Sequence, residues 1–204
     1  MAEEKTRSQP KSRIETLSDL IFGLALSIGA IALIGQPPSD FTKLLFDVFY
    51  YAFSFLILIL VWYSYTRIMS YQHVETLSDI YLNVLLLFLV SIEPFLFNEL
   101  IFSPINGQYT SMVYAANLGG LFVMLALLTN SILSDKNSPL PIKRHYQLLR
   151  DNLLIGAAIF FVSALPVFWT WAIPINGTIH VQLRYLLWVA PLLLRARRRL
   201  VDKK

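Results

Sequence analysis

The side chains best placed to do chemistry are a few oxygen-bearing groups set in apolar surroundings: Ser27, Asp47 and Glu93, with Arg13, Ser18 and Asp19 ahead of the first. Ser27 belongs to the stretch RIETLSDLIFGLALSIGAIALIG, Arg13 to Gly35. Drawn as a helix, Leu20, Leu24, Ser27, Ile31 and Ile34 follow at spacings of four, three, four and three, so they share one face. That face is aliphatic apart from one hydroxyl. A second face carries Ala25, Gly29 and Ala32, small residues that let a neighbouring helix approach closely. The combination suits a helix that lines a water-filled path while packing tightly on its neighbours. An aliphatic stripe is also what simple packing produces, although lipid tails weaken that driving force inside a membrane. Asp47 and Glu93 stand near or within apolar stretches, where a charge is costly and marks ion or proton handling by default. A structural or vestibule role fits them as well, since each lies within a turn of an expected interface.

Other chemistries lack their residues. The chain has no cysteine, which removes disulfides, thiolate metal sites and a cysteine nucleophile. His73, His145 and His180 are scattered and none has a partner at ligand spacing, so no metal site is expected. No phosphate-cradling glycine loop, nucleophile elbow or acid–base pair occurs, so no catalytic residue, enzyme activity or cofactor is expected. The net charge of +4 comes from basic residues beside apolar stretches, where membrane orientation and anionic lipid account for them without nucleic acid.

The elements that must position these groups are membrane spans. Of 204 residues, 56% are hydrophobic and 15% charged, against about 45–50% and about 25% in an ordinary soluble domain. No charge interrupts Leu20–Ser39, Val48–Thr66, Leu100–Ser134 or Asn152–Leu183, and roughly 20 apolar residues cross a bilayer. The fold class expected is all-α, with six transmembrane helices per subunit. The domains expected are a cytoplasmic tail over 1–12, a six-helix membrane domain over 13–194 and a basic cytoplasmic tail over 195–204. Thr16 or Ser18 is expected to cap the first helix. The spans are placed near 16–35, 41–69, 77–100, 109–133, 152–173 and 179–194. Residues 134–150 form the longest connection, Pro94 kinks or ends the third helix, and Pro174–Gly177 make a turn. All of the 17 Lys and Arg residues except Lys43 and Arg184 fall on one side of this arrangement. The positive-inside rule then puts both termini in the cytoplasm. The basic end from Arg195 serves as a topology anchor or meets anionic lipid. Glu15-Thr16-Leu17-Ser18-Asp19 recurs as Glu75-Thr76-Leu77-Ser78-Asp79, but the match stops after those five residues and does not establish duplicated halves.

Arg13-Ile14-Glu15-Thr16-Leu17-Ser18-Asp19 resembles the Arg-x-x-x-Phe-Ser-Asp signature of the transmembrane protein 175 family of potassium channels, with Leu17 in place of Phe. These channels are endolysosomal in animals and have shorter six-span relatives in prokaryotes. Asn83, Leu85, Leu86, Phe88, Ser91, Pro94 and Phe95 are similar to the family's third span, and Trp62 to the tryptophan of its second. The histidine that commonly follows is missing, and Tyr65 is the nearest candidate. The resemblance implies a homotetramer in a prokaryotic plasma membrane, with first helices around a central pore and no Thr-Val-Gly-Tyr-Gly filter. It implies that Leu24 forms the constriction, a hydrophobic gate, and that Ser27 sets a preference for potassium over more weakly conducted sodium. Leu20, Ile31 and Ile34 would line the rest of the path, and permeating K+ would pass near Ser27 and Leu24 with no resident metal or cofactor. Arg13, Ser18, Asp19 and Trp62 would form a structural motif anchoring the helix base, so Asp19→Ala should impair assembly or gating more than selectivity. Lipids and other copies of the chain are then the partners, with no soluble substrate. The competing reading is a proton- or cation-coupled secondary transporter that uses Asp47 and Glu93.

Overall fold

The computed structural model describes residues 2–32, 38–71, 77–102, 107–134, 139–176 and 179–191. Helices α1 (Ala2–Ala32), α2 (Phe41–Tyr71), α3 (Leu77–Phe102) and α4 (Gly107–Ser134) supply four apolar segments, Arg13–Ile31, Phe41–Tyr71, Leu77–Ile101 and Gly107–Ser134. At about 1.5 Å rise per residue, each is long enough to cross about 30 Å of hydrocarbon. These are the first four spans read from the sequence, each within a few residues at either end.

Helix α1 begins well before its apolar part. Residues 2–12 are mostly strong helix formers such as Ala, Glu, Lys, Arg and Gln, and they continue the helix outward. Thr16 and Ser18 are therefore interior positions and not caps. Helix α2 has a true cap: the Lys43 N–H donates to Asp40 Oδ1 at 2.8 Å and the Leu44 N–H to the Asp40 carbonyl at 3.1 Å. The Lys43 N–H bond holds the exposed Asp40 carboxyl below the usual carboxylate range. Helix α3 runs through Pro94 to Phe102, so the proline does not end it. Neighbouring helices make such a break in the hydrogen-bond ladder tolerable in a membrane protein.

Helix α4 occupies the centre and is apolar nearly all round, burying Leu118, Leu121, Leu125 and Leu128 completely. It packs between α3 and α5 (Leu140–Ser163). The approach to α5 depends on Gly156, where an added Cβ would stand 2.7 Å from the Phe122 ring. With glycine there, Phe122 and Phe160 meet edge to face at 5.4 Å between centroids.

The second half departs from the sequence expectation. Helix α5 opens at Leu140 and not near Asn152, so most of the expected 134–150 connection is helical. Its first turns carry Lys143, Arg144, Arg150 and Asp151 among good helix formers, and a reading based on absence of charge starts the helix too late. The helix stops at Ser163, short of Pro166, because the residue before a proline is pushed out of the helical region. One turn of helix, α6 (Val167–Thr170), leads into strands β1 (Ala172–Asn176) and β2 (Ile179–Gln182), which pair antiparallel with Ile173 opposite Val181. This hairpin replaces the expected interhelical turn and the start of the sixth span. Asn-Gly flanked by alternating Ile and Val is a strong hairpin signal, and the sequence carries it at Asn176-Gly177. The chain is helical again over 183–191, here α7.

Candidate functional site

Helix α1 is two-faced. Phe22 and Ala25 are 1% and 2% exposed, and Ser18 and Gly29 are also buried, all turned toward α2 and α3. The opposite stripe is bare: Leu20, Leu24 and Ile31 are 67%, 58% and 61% exposed, with Ser27 exposed between them. The structure thus brings Leu20, Leu24, Ser27 and Ile31 onto one face, while Ile34 lies outside the described residues. The Ser27 hydroxyl donates to the Gly23 carbonyl at 2.8 Å. Its only proton is committed to the helix, which leaves the oxygen lone pairs directed at whatever covers the stripe. Close packing on the other face turns on Gly29, where a Cβ would lie 3.3 Å from the Tyr51 ring, and the Tyr51 hydroxyl donates to the Leu26 carbonyl at 3.3 Å.

The base of α1 is tied to α2. The Trp62 indole N–H donates to Asp19 Oδ1 at 3.0 Å, joining two residues that the sequence places forty-three positions apart. Ser18 Oγ donates to the Ile14 carbonyl at 2.6 Å and stands 2.7 Å from the Tyr65 hydroxyl. Serine has one proton, so Tyr65 is the donor of that second bond. Phe22 packs on the Tyr65 ring at 5.9 Å. Leu17, where the family signature has Phe, is half-exposed. Arg13 is exposed and makes no ion pair among the described residues. The bond pattern ranks two substitutions. Ser18→Ala leaves the buried Tyr65 hydroxyl without an acceptor and is expected to cost about 1–3 kcal/mol, whereas Tyr65→Phe removes the donor itself and should cost less. Thermal unfolding of the two variants in the same detergent checks the order.

The intramembrane acids lie apart from the stripe. Glu93 is fully buried, its Oε1 accepting from Ser54 Oγ and from the Tyr114 hydroxyl, each at 2.8 Å. Asp47 pairs with Lys43 one turn earlier, Nζ to Oδ2 3.3 Å. Asp79 accepts from Ser131 Oγ at 2.6 Å. Among the described residues no three His, Cys, Asp or Glu side chains come together as a metal site.

One cluster was missed by sequence reasoning. Arg184, placed only as an awkward charge in the sixth span, is fully buried. Its guanidinium donates to the carbonyls of Ser163 (2.7 Å), Leu165 (2.9 Å), Ala164 (3.3 Å) and Gln108 (3.1 Å) and to Ser111 Oγ. It also sits over the Trp169 ring, 5.6 Å from the centroid. A charge inside an apolar segment was the available signal. What it lacked was the end of α5 at Ser163, which supplies the free carbonyls.

The comparisons agree with the architecture. Residues 13–94 match the family described as endosomal/lysosomal potassium channel TMEM175. No curated protein matches the chain. A crystal structure of a lysosomal potassium-selective channel TMEM175 homolog from Chamaesiphon minutus superimposes with a TM-score of 0.64 at 20% identity, covering 93% of this chain and 98% of that one. That family is one of ion channels and not of enzymes. The resemblance read from the first three helices is therefore borne out: residues 13–94 match the model of that family, and the fold of the chain is similar to that of a TMEM175 homologue.

Proposed function

We propose that this protein is a potassium-preferring cation channel in which α1 helices from four identical subunits surround the pore. The observation that carries the reading is the division of α1, whose Leu20–Leu24–Ser27–Ile31 face stays bare while the opposite face is closed by α2 and α3. Leu24 forms an aliphatic constriction that closes by dewetting and opens by a small rotation or dilation of the helices. Ser27 offers one weak oxygen ligand per subunit, and Leu20, Ile31 and Ile34 line the remainder. Such a ring replaces only part of a hydration shell, so potassium is favoured over sodium by a modest factor. Asp19, Ser18 and Trp62 hold the helix base. The chain crosses the plasma membrane of a prokaryote six times, α5 and the segment opened by α7 supplying the last two passes. Residues 1–12 and the basic residues 195–204 lie in the cytoplasm, the latter as a topology anchor.

Flux through liposomes under potassium and sodium gradients tests this. Leu24→Ala should raise flux several-fold, and Ser27→Ala should lower the potassium-to-sodium ratio without closing the path. Unchanged flux and unchanged ratio in both variants would remove the pore from α1.

A further inference from the structure

Away from the α1 stripe, a cavity of about 250 Å³ opens between α2, α3, α4 and α7. Its wall is unusually rich in rings, including Tyr50, Phe53, Tyr114, Tyr185 and Trp188, and Asp47 is the charged residue among those lining it. The rings are set at different inclinations. Phe53 lies nearly parallel to Trp188 (19°, 6.2 Å), Tyr114 is tilted against it (49°, 5.2 Å) and Tyr185 meets it edge-on (81°, 5.1 Å). Tyr50 is half-exposed and marks the rim, while Trp188 is deep and fixed by its indole N–H on Ser163 Oγ at 2.9 Å. Asp47 lies six residues into α2, roughly 9 Å along the helix from its start.

Aromatic faces carry negative potential, and several of them around one carboxylate make a site for a cation that sheds water easily. Potassium holds its hydration shell too strongly for rings to replace it. A quaternary ammonium spreads its charge over methyl groups, which fit against rings while the carboxylate balances the charge. Lys43 already presents an ammonium to Asp47 from one turn away, so the carboxylate is disposed to receive that kind of group. A zwitterionic lipid headgroup suits the cavity less well, because its phosphate would be brought beside Asp47. We propose that this cavity is a binding site for a small quaternary ammonium ion from solution, held by Asp47 and the surrounding rings and separate from the α1 face.

The test is calorimetric titration of the full chain in a maltoside detergent with choline, with 3,3-dimethyl-1-butanol (the uncharged analogue of the same shape) and with phosphocholine. Choline should bind saturably in the millimolar range, and the other two much more weakly. Asp47→Asn, at the buried carboxylate, and Tyr50→Leu, at the rim, should each weaken choline binding by about tenfold. Lys43→Met should tighten it by removing the competing ammonium. Equal binding of the uncharged alcohol, or unaltered choline binding by Asp47→Asn with an unchanged melting temperature, would overturn the proposal. Absence of saturable choline binding would do the same, and preference for phosphocholine would reassign the cavity to a lipid headgroup.

Discussion

Replacing Arg184 with methionine is expected to destabilise the protein by about 3 kcal/mol, because buried acceptors that lose their donor cost about 1–3 kcal/mol each. The guanidinium serves four carbonyls and one hydroxyl, from Ser163, Ala164, Leu165, Gln108 and Ser111. The Ser163 and Ala164 carbonyls end α5, where no further helical turn exists to satisfy them, and the Leu165 carbonyl just beyond also accepts from the Phe168 N–H at 3.2 Å. The other two acceptors open α4. One side chain from α7 therefore fastens the end of one helix to the start of another, without a carboxylate among its partners in the described residues. Methionine roughly matches the length and leaves the Ser163 and Ala164 carbonyls without a donor, while the Leu165 and Gln108 carbonyls keep the Phe168 N–H and the Ser111 hydroxyl. Lysine keeps the charge but presents three donors from one point in place of a planar fork, and loses the stacking on Trp169. Arg184→Lys should accordingly fall between wild type and Arg184→Met. Thermal unfolding in detergent reads the series, and a lysine variant as stable as wild type would show that charge alone suffices.

How much of this was legible in the sequence follows from which interactions are local. The first four helices could be read because an uninterrupted apolar run of the right length has few alternatives in a bilayer. The two faces of α1 could be read because helical periodicity sorts residues before any neighbour is known, and Ala25 and Gly29 do turn out to be buried opposite Leu24. The Asp19–Trp62 bond was accessible through family resemblance, not through spacing, since nothing in either helix alone fixes their relative height. The second half was misjudged where charge was treated as a boundary. Lys143 to Asp151 sit on a helix that continues inward, and Asn176-Gly177 signalled a hairpin that a count of spans passed over. Arg184 could be noticed but not interpreted, because its partners are backbone carbonyls, which carry no residue-type signal.

Glu93 is expected to separate a structural carboxyl from a working one. Among the described residues only its Oε1 is bonded, by Ser54 and Tyr114, while Oε2 is buried and has no hydrogen-bond partner there. Glu93→Gln keeps an acceptor oxygen for both hydroxyls and puts the amide nitrogen where Oε2 stood, so about 1 kcal/mol of stability is lost for that donor. Glu93→Leu removes the acceptor altogether. Ser54 can turn its proton back to a carbonyl one turn earlier on α2, as serines in helices do. Tyr114 reaches no such carbonyl on its own helix, and its orphaned hydroxyl should bring the loss to about 3 kcal/mol. The two variants therefore differ in stability by an amount that thermal unfolding resolves. Flux then decides what the carboxyl does. If Glu93 only braces α2 and α4 against α3, Glu93→Gln conducts potassium as wild type does and is indifferent to an imposed proton gradient. A carrier that moves a proton on Glu93 cannot use an amide, because glutamine neither gains nor gives up a proton in this range. In that case Glu93→Gln would fold nearly as well as wild type and transport nothing, and the pore reading would give way to a coupled transporter.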